Sequence, residues 1–79
     1  MTHKEAAKTH FRNRFIERYG TSPSLLEIDL MRRQVKAKKC FMWKTCGHAV
    51  KAIVCFRNIH VTVVYDTSID GMVTAGVKI

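Results

Sequence analysis

Residues 48–66 read H-A-V-K-A-I-V-C-F-R-N-I-H-V-T-V-V-Y-D. On each side of the pair R-N, every second residue is apolar, and the residues between them are a mixture of polar and apolar types. Alternation with period two is typical of half-buried strands, and a two-residue break between such runs is typical of a hairpin. With Arg57-Asn58 as the turn, four cross-strand pairs fall on one face: Phe56–Ile59, Val54–Val61, Ala52–Val63 and Val50–Tyr65. Every pair is apolar, so the stretch predicts a hairpin with one buried face.

The turns on either side of this hairpin select the same face. A turn at Cys46-Gly47 and a five-residue loop at 67–71, T-S-I-D-G, give the pairs Trp43–Val50, Phe41–Ala52, Tyr65–Val73, Val63–Ala75 and Val61–Val77. Because three turns agree, we predict a four-stranded antiparallel meander with strands at about 40–46, 48–56, 59–66 and 72–79. Its predicted buried face comprises Phe41, Trp43, Val50, Val54, Phe56, Ile59, Val61, Val63, Tyr65, Val73 and Val77.

Two helices are predicted ahead of the sheet, at about 4–19 and 23–36. Gly20 ends the first, and the second has two start signals: Ser22 before Pro23, and Ser24 with Glu27 at capping-box spacing. Their apolar stripes are Ala7, Phe11, Phe15, Ile16 and Tyr19 in the first helix and Leu25, Ile28, Met31 and Val35 in the second. Both stripes should cover the buried face of the sheet, which gives a single α+β domain, residues 1–79, of order ααββββ.

The chain is short and strongly basic. Its 79 residues include 14 Lys or Arg and 6 Asp or Glu, a formal net charge of +8. Eleven of the basic and four of the acidic side chains lie in residues 1–44, a local net charge of +7. A basic surface on so small a domain favours RNA or a nucleoprotein as partner. An acidic protein surface and a merely solvated cationic face are the alternatives.

Composition also bears on location and cofactors. No apolar run approaches the length of a membrane span, and the charged N-terminus lacks the apolar segment of a signal peptide, so we expect a cytoplasmic protein without membrane contact. Cys40, Cys46 and Cys55 are odd in number and fit reduced thiols. Together with His48 and His60 their spacings match no common zinc site, and we expect no metal and no other cofactor.

The opposite face of the predicted sheet is cationic and partly apolar, and no further segment is left to cover it. It carries Met42, Lys44, Lys51, Ile53, Cys55, His60, Thr62, Val64, Thr74 and Lys78. Histidine exchanges a proton near neutral pH, so His60 is the candidate catalytic residue, with a solvated surface histidine as the alternative. The candidate nucleic-acid or partner-binding residues of this face are Lys44, Lys51, Thr62, Thr74 and Lys78.

The first helix adds a second basic surface. His10, Arg14 and Arg18 follow one another at i, i+4 and i+8 along one flank, while Lys8 and Arg12 lie on the other. Such side chains either extend their stems along the apolar stripe towards water or contact phosphates. His10, Arg12, Arg14 and Arg18 are therefore further candidate binding residues.

A DNA-binding alternative starts from residues 18–28. This string, R-Y-G-T-S-P-S-L-L-E-I, resembles the turn and second helix of LexA-type helix-turn-helix domains. A recognition helix should follow it in such a domain. The segment that follows, K-A-K-K-C-F-M-W-K at 36–44, is predicted to become a strand instead.

Two other segments resemble small RelE-like ribonuclease toxins (the barnase, colicin and RelE type) and their relatives. They are H-F-R-N-R-F-I-E-R at 10–18 and V-V-Y-D-T-S-I-D-G-M-V-T at 63–74, within a resemblance that spans most of residues 8–75. It implies two helices followed by an antiparallel sheet, and metal-independent endonucleolytic cleavage of RNA by internal attack of the 2′-hydroxyl. His60 would then act as base or acid, and Lys51, Lys78 and Arg14 would stabilise the phosphate.

These observations predict a small basic protein that binds RNA or a nucleoprotein complex through the open sheet face and the basic helix edges, with RNA cleavage as an extension of that role. The alternative is a non-catalytic, phage-type inhibitor that occludes a host or defence protein complex, since an uncovered apolar and cationic face suits that role equally well. A third interpretation is a homodimer formed through this face or through the final edge strand.

Overall fold

The computed structural model describes the backbone of residues 3–76 and the side chains of residues 6–76. The elements are α1 (His3–Tyr19), α2 (Leu25–Lys36), β1 (Met42–Cys46), β2 (Ala49–Phe56), β3 (Ile59–Asp66) and β4 (Gly71–Ala75). The strands form one antiparallel sheet in the order β1-β2-β3-β4, and α1 and α2 pack on one of its faces. The predicted α+β fold of order ααββββ is confirmed. Neither helix is long and apolar enough to cross a membrane.

The β2–β3 hairpin has the predicted register, with Phe56 opposite Ile59 and Val50 opposite Tyr65. Its two turn residues both have positive φ, 46° at Arg57 and 66° at Asn58, as a type I′ turn requires. Asparagine tolerates this conformation better than arginine does. Contacts to α2 and the loop before it hold Arg57: its guanidinium donates to both carboxylate oxygens of Glu27, at 2.7 and 2.8 Å, and to Thr21 Oγ1 at 3.0 Å.

The register predicted for the two outer strands is wrong in part. The β1–β2 turn is Gly47-His48, because Gly47 takes the positive φ of 63° that a tight hairpin turn needs. The strands shift by two residues, so that Trp43 lies opposite Ala52. A bulge at Val64/Tyr65 sets Tyr65 opposite Met72 instead of Val73, although Val63 pairs with Ala75 as predicted. The predicted pair Val61–Val77 lies outside the described residues.

One apolar core joins the helices to the sheet. Its buried members are Phe11, Phe15, Ile28, Met31, Val35, Val50, Ala52, Val54, Phe56, Val61, Val63, Tyr65, Met72 and Ala75. Phe15 lies at its centre, with ring centroids 4.8 Å from those of Tyr19 and Phe56. Because α1 packs against β4 and α2 against β2, the helices cover only part of the sheet.

Five side chains predicted to be buried are exposed. Ile16 and Leu25 lie at the margins of their helix stripes, and Ile59 lies beside the hairpin turn. Trp43 is on the helix side of the sheet but is 38% exposed, since no helix lies over β1. Phe41 is 75% exposed and does not face the core at all.

The second helix begins at Leu25, two residues later than predicted. Ser24 is the N-cap, and Ser24 and Glu27 form the capping box with bonds of 2.9 and 3.2 Å. Ser22 instead accepts a hydrogen bond from Arg12 at 3.1 Å. Of the two start signals, only the one that satisfies two backbone N–H groups is used.

Each helix also contributes one side chain to the hydrogen bonding of the sheet. The Gln34 amide of α2 pairs with the backbone N–H and C=O of Cys55, both at 3.0 Å, on the side where β1 would otherwise continue. The Tyr19 hydroxyl of α1 accepts from the backbone N–H of Thr62 at 3.0 Å. The helices therefore satisfy strand groups that pairing between strands leaves open.

Asp70, in the loop between β3 and β4, joins that loop to α2. Its carboxylate accepts from the Tyr65 hydroxyl and forms ion pairs with Arg32 at 3.0 Å and Lys36 at 3.2 Å. These donors lower the pKa of Asp70 to about 2, while burial and the neighbouring Asp70 raise the pKa of Tyr65 to about 12. Arg32 is in turn held by Asp29 at 2.6 Å.

The turn conformation leads to a stability prediction. Asn58→Gly should raise the free energy of unfolding by a few tenths of a kcal/mol, because glycine adopts positive φ without strain. Asn58→Ala at the same position should lower it by about 1 kcal/mol. Urea denaturation of the two variants beside the wild type measures both values, and a less stable glycine variant would contradict the type I′ turn.

The Asp70 contacts lead to a pH prediction. A carboxyl group whose folded pKa is depressed stabilises the fold above its unfolded pKa, and that contribution is lost as pH falls through the folded value. Wild-type stability should therefore fall between about pH 5 and pH 2, with Glu27, whose pKa is also about 2, adding to the effect. Asp70→Asn should be less stable than the wild type at pH 7 and differ little from it at pH 2. A difference in urea midpoint that is equal at both pH values would show that the Asp70 charge is not involved.

Candidate functional site

The sheet face opposite the helices carries His60 and four of the nine predicted binding residues. In the described part of the chain, Lys44, Lys51, Thr62, Thr74 and His60 all lie on it. Lys44 and His60 are exposed, while the other three are partly exposed. Lys78, the tenth member of this predicted face, lies outside the described residues. We call this surface the open face.

Lys44 and Lys51 lie directly opposite each other on β1 and β2. Among the described residues neither lysine forms an ion pair. Like charges at directly opposed positions destabilise a sheet, so the fold gains nothing from this pairing. The next positions in the same row are Val64, which is only 7% exposed, and Thr74. The lysines therefore form a cationic end of the open face, beside the nearly buried Val64 and the partly exposed Thr74.

His60 lies at the other end of the open face, opposite Cys55. Its ring is in contact with that of Phe41, with centroids 4.4 Å apart and planes at 41°. A groove of about 200 Å³ opens beside this pair and is lined by Gln34, Lys39, Cys40, Phe41, Ile53, Cys55 and His60. The sequence pattern missed Phe41 and Lys39 as members of a site.

The position of Phe41 follows from where β1 begins. Its backbone N–H donates to the Ile53 carbonyl at 2.7 Å, but regular pairing starts only at Met42. Because Phe41 precedes the regular strand, its side chain does not follow the alternation of β1, and its ring lies on the open face. The half-buried Cys40 packs against the core in its place. The prediction that Phe41 lies in the core is wrong, and for that reason the sequence did not indicate the Phe41–His60 contact.

The two ends of the open face are well separated. Val64, the position opposite Lys51, lies four residue steps along β3 from His60, which corresponds to roughly 13 Å of extended strand. His60 and these lysines are therefore not gathered around one point. A ligand that contacts both ends has to be extended.

The helix-edge candidates lie behind the sheet, apart from the open face. His10 is exposed, and Arg14 forms an ion pair with Glu17 at 3.0 Å. Arg12 is bonded to Ser22, as described above. The Arg18 stem packs so closely on Gly76 that a Cβ there would lie 2.2 Å from Arg18 Cγ. The structure does not bring these residues together with Lys44, Lys51 or His60.

Acidic side chains are concentrated away from the open face. The only acid within the described strands is Asp66, at the end of β3, and its carboxylate accepts from the backbone N–H and hydroxyl of Ser68. Glu17, Glu27, Asp29 and Asp70 all pair with arginine or lysine on the helix side. Among the described lysines and arginines, those outside any ion pair are Lys8, Arg12, Arg18, Lys38, Lys39, Lys44 and Lys51.

The cysteines carry free thiols. Cys46 and Cys55 are exposed, whereas burial raises the pKa of the half-buried Cys40. In residues 6–76 no three His, Cys, Asp or Glu side chains are grouped so that they could hold a metal ion.

Comparison of the chain with protein-family models, with curated proteins and with solved structures finds no significant match. The helix-turn-helix alternative is contradicted by the fold itself, because β1 stands where a recognition helix would be.

The opposed lysines lead to a prediction that needs no ligand. Lys44→Glu should raise the free energy of unfolding by about 0.2–1 kcal/mol, because it converts a like-charge cross-strand pair into an ion pair with Lys51. Lys39→Glu changes the net charge equally but has no opposed lysine, so it should stay within about 0.5 kcal/mol of the wild type. Urea denaturation of both variants provides the measurement. A destabilised Lys44→Glu variant would mean that Lys44 has a structural role.

Proposed function

We propose that this protein binds RNA, free or within a nucleoprotein, through the open face. The observation that supports this most directly is the opposed pair Lys44–Lys51, which has no acidic partner in the described structure and lies on a face whose only acid is already bonded to Ser68. A phosphate backbone supplies the missing negative charge. Lysines that contact phosphates provide affinity without base specificity.

The shape of the surface agrees with an extended polyanion. The lysine end and the His60 end are separated by roughly 13 Å of strand, so a chain of phosphates can meet both in succession. The basic helix edge lies behind the sheet, and within this proposal it makes a second contact, with another segment of a long RNA or with the protein part of a nucleoprotein.

Cleavage is the extension that the RelE-like resemblance implies, with His60 as base or acid. A general base and the groups that stabilise the phosphate must act on the same phosphate. Among the described residues, Lys51 is too far from His60 to share one with it, and Arg14 lies behind the sheet. We therefore propose binding, without cleavage, as the function. The function would extend to catalysis if the wild type cleaved RNA in the presence of a chelator and His60→Ala abolished that cleavage.

A protein partner is the main alternative. It is favoured by β1, all of whose residues are exposed. Exposed apolar side chains lie on both faces of this edge, Phe41 and Met42 on the open face and Trp43 on the helix side. An inhibitor of a protein complex would use the same edge.

Salt titration of RNA binding tests the proposal. Affinity for a labelled RNA should fall linearly on a log–log plot against salt, because each phosphate contact releases counterions. Lys44→Ala with Lys51→Ala should weaken binding and reduce the slope by about 1.4 for a single strand, about 0.7 for each lysine. Fluorescence anisotropy between about 50 and 200 mM salt gives both quantities.

The matched control removes the same charge from α1, by Arg12→Ala with Arg14→Ala, which lie on its two flanks. The sheet-face pair should lose more affinity than this helix pair. An equal or larger loss in the helix pair would move the interface to α1. If RNA does not bind at low salt, while a single protein complex is recovered from lysate after nuclease treatment, the protein-partner alternative replaces the proposal.

A further inference from the structure

The Phe41 and His60 rings form an aromatic surface that is exposed to water. Phe41 is 75% exposed, yet its ring lies 4.4 Å from that of His60. Because Phe41 does not face the core, its side chain contributes little to the packing of the core. The His60 contact already restricts the position of the Phe41 ring. Phe41 therefore loses less side-chain freedom when a ligand stacks on it.

The groove beside this pair offers stacking and charge but little hydrogen bonding. Gln34 uses its carbonyl oxygen and one N–H on the backbone of Cys55, and Ile53 and Cys40 add apolar or weakly polar surface. Lys39, at the rim, forms no ion pair among the described residues. Such a groove fits a flat aromatic group that carries a nearby negative charge.

Extending the proposed function, on which this inference rests, we propose that the groove holds an unpaired nucleotide base stacked on Phe41 and His60, with Lys39 at the adjoining phosphate. Stacking on aromatic side chains requires a base that is free of its neighbours, which a duplex does not offer. The substrate class is therefore single-stranded RNA. Since stacking accepts every base, the site should show little sequence preference.

The position of the groove agrees with this assignment. It opens on the same face as Lys44 and Lys51, at the opposite end of β2 and β3. A single-stranded RNA with one base in the groove can place the phosphates of nearby nucleotides over Lys44 and Lys51. Trp43, the neighbouring aromatic residue of β1, lies on the other face of the sheet with Lys38 Nζ 4.7 Å from its ring centre, and so provides an internal control.

The test compares three probes of equal length: an unstructured RNA decamer, an abasic analogue with the same backbone charge, and an RNA duplex. Fluorescence anisotropy at one low salt concentration gives Kd for the wild type, for Phe41→Ala and Phe41→Trp, and for Trp43→Ala. Circular dichroism and the urea midpoint establish that each variant is folded. Because Phe41 is exposed, its replacement should leave the fold intact.

Phe41→Ala should weaken decamer binding by roughly five- to 150-fold, the range expected for losing one stacked base. Phe41→Trp should retain wild-type affinity, and Trp43→Ala should change it little. The wild type should bind the abasic analogue more weakly than the decamer, and Phe41→Ala should not weaken the abasic complex further.

Two failures are distinguishable. If the wild type binds decamer and abasic analogue equally well, and Phe41→Ala has no effect, the stacking site is wrong while RNA binding through the lysines stands. If none of the three probes binds at low salt, the proposed function and the stacking site are both overturned. Preference for the duplex over the decamer would overturn the assignment to single strands.

Discussion

The register of the β2–β3 hairpin decides which side chains reach the core and which reach water. A strand has a period of two, so a slip of one residue would bury Lys51, Cys55 and His60 and expose the valines that now contact the helices. The type I′ turn at Arg57-Asn58 excludes that slip. Arg57 also binds Glu27 at the start of α2. The turn that sets the register therefore also joins the hairpin to the second helix.

The end of β1 determines the shape of the candidate site. Gln34 occupies the backbone N–H and C=O of Cys55, which a longer β1 would have used. Pairing therefore begins at Met42, and Phe41 is free to place its ring against His60. A hydrogen bond that completes the sheet thus also creates the aromatic surface on its open face.

Arginine forms five of the six ion pairs among the described residues. Arg14, Arg32, Arg33 and Arg57 all form ion pairs on the helix side, in keeping with the fork of donors that matches a carboxylate. The lysines near the sheet, from Lys38 to Lys51, form none among the described residues. Because four of the five described acids pair with arginine, the lysines near the sheet are left without an acidic partner, and a polyanion can reach their charge.

The sequence by itself determined the order of the elements, the two faces of the hairpin and the cationic character of the open face. These follow from local rules: period two in strands, turn chemistry and the absence of acids between Lys36 and Asp66. The same rules predicted the positions of Lys44, Lys51 and His60, because a face is determined by parity even when, as for Lys44, the exact partner is misjudged.

Only the tertiary structure decided how far each strand pairs and what the helices cover. Whether Phe41 continues β1 depends on the distant Gln34, and whether Trp43 is buried depends on α2 lying over β2. The bulge at Val64/Tyr65 brings Met72 into the core, and the loop before Met72 is joined to α2 through Asp70. Such outcomes depend on contacts between residues far apart in sequence, and local periodicity contains no information about them.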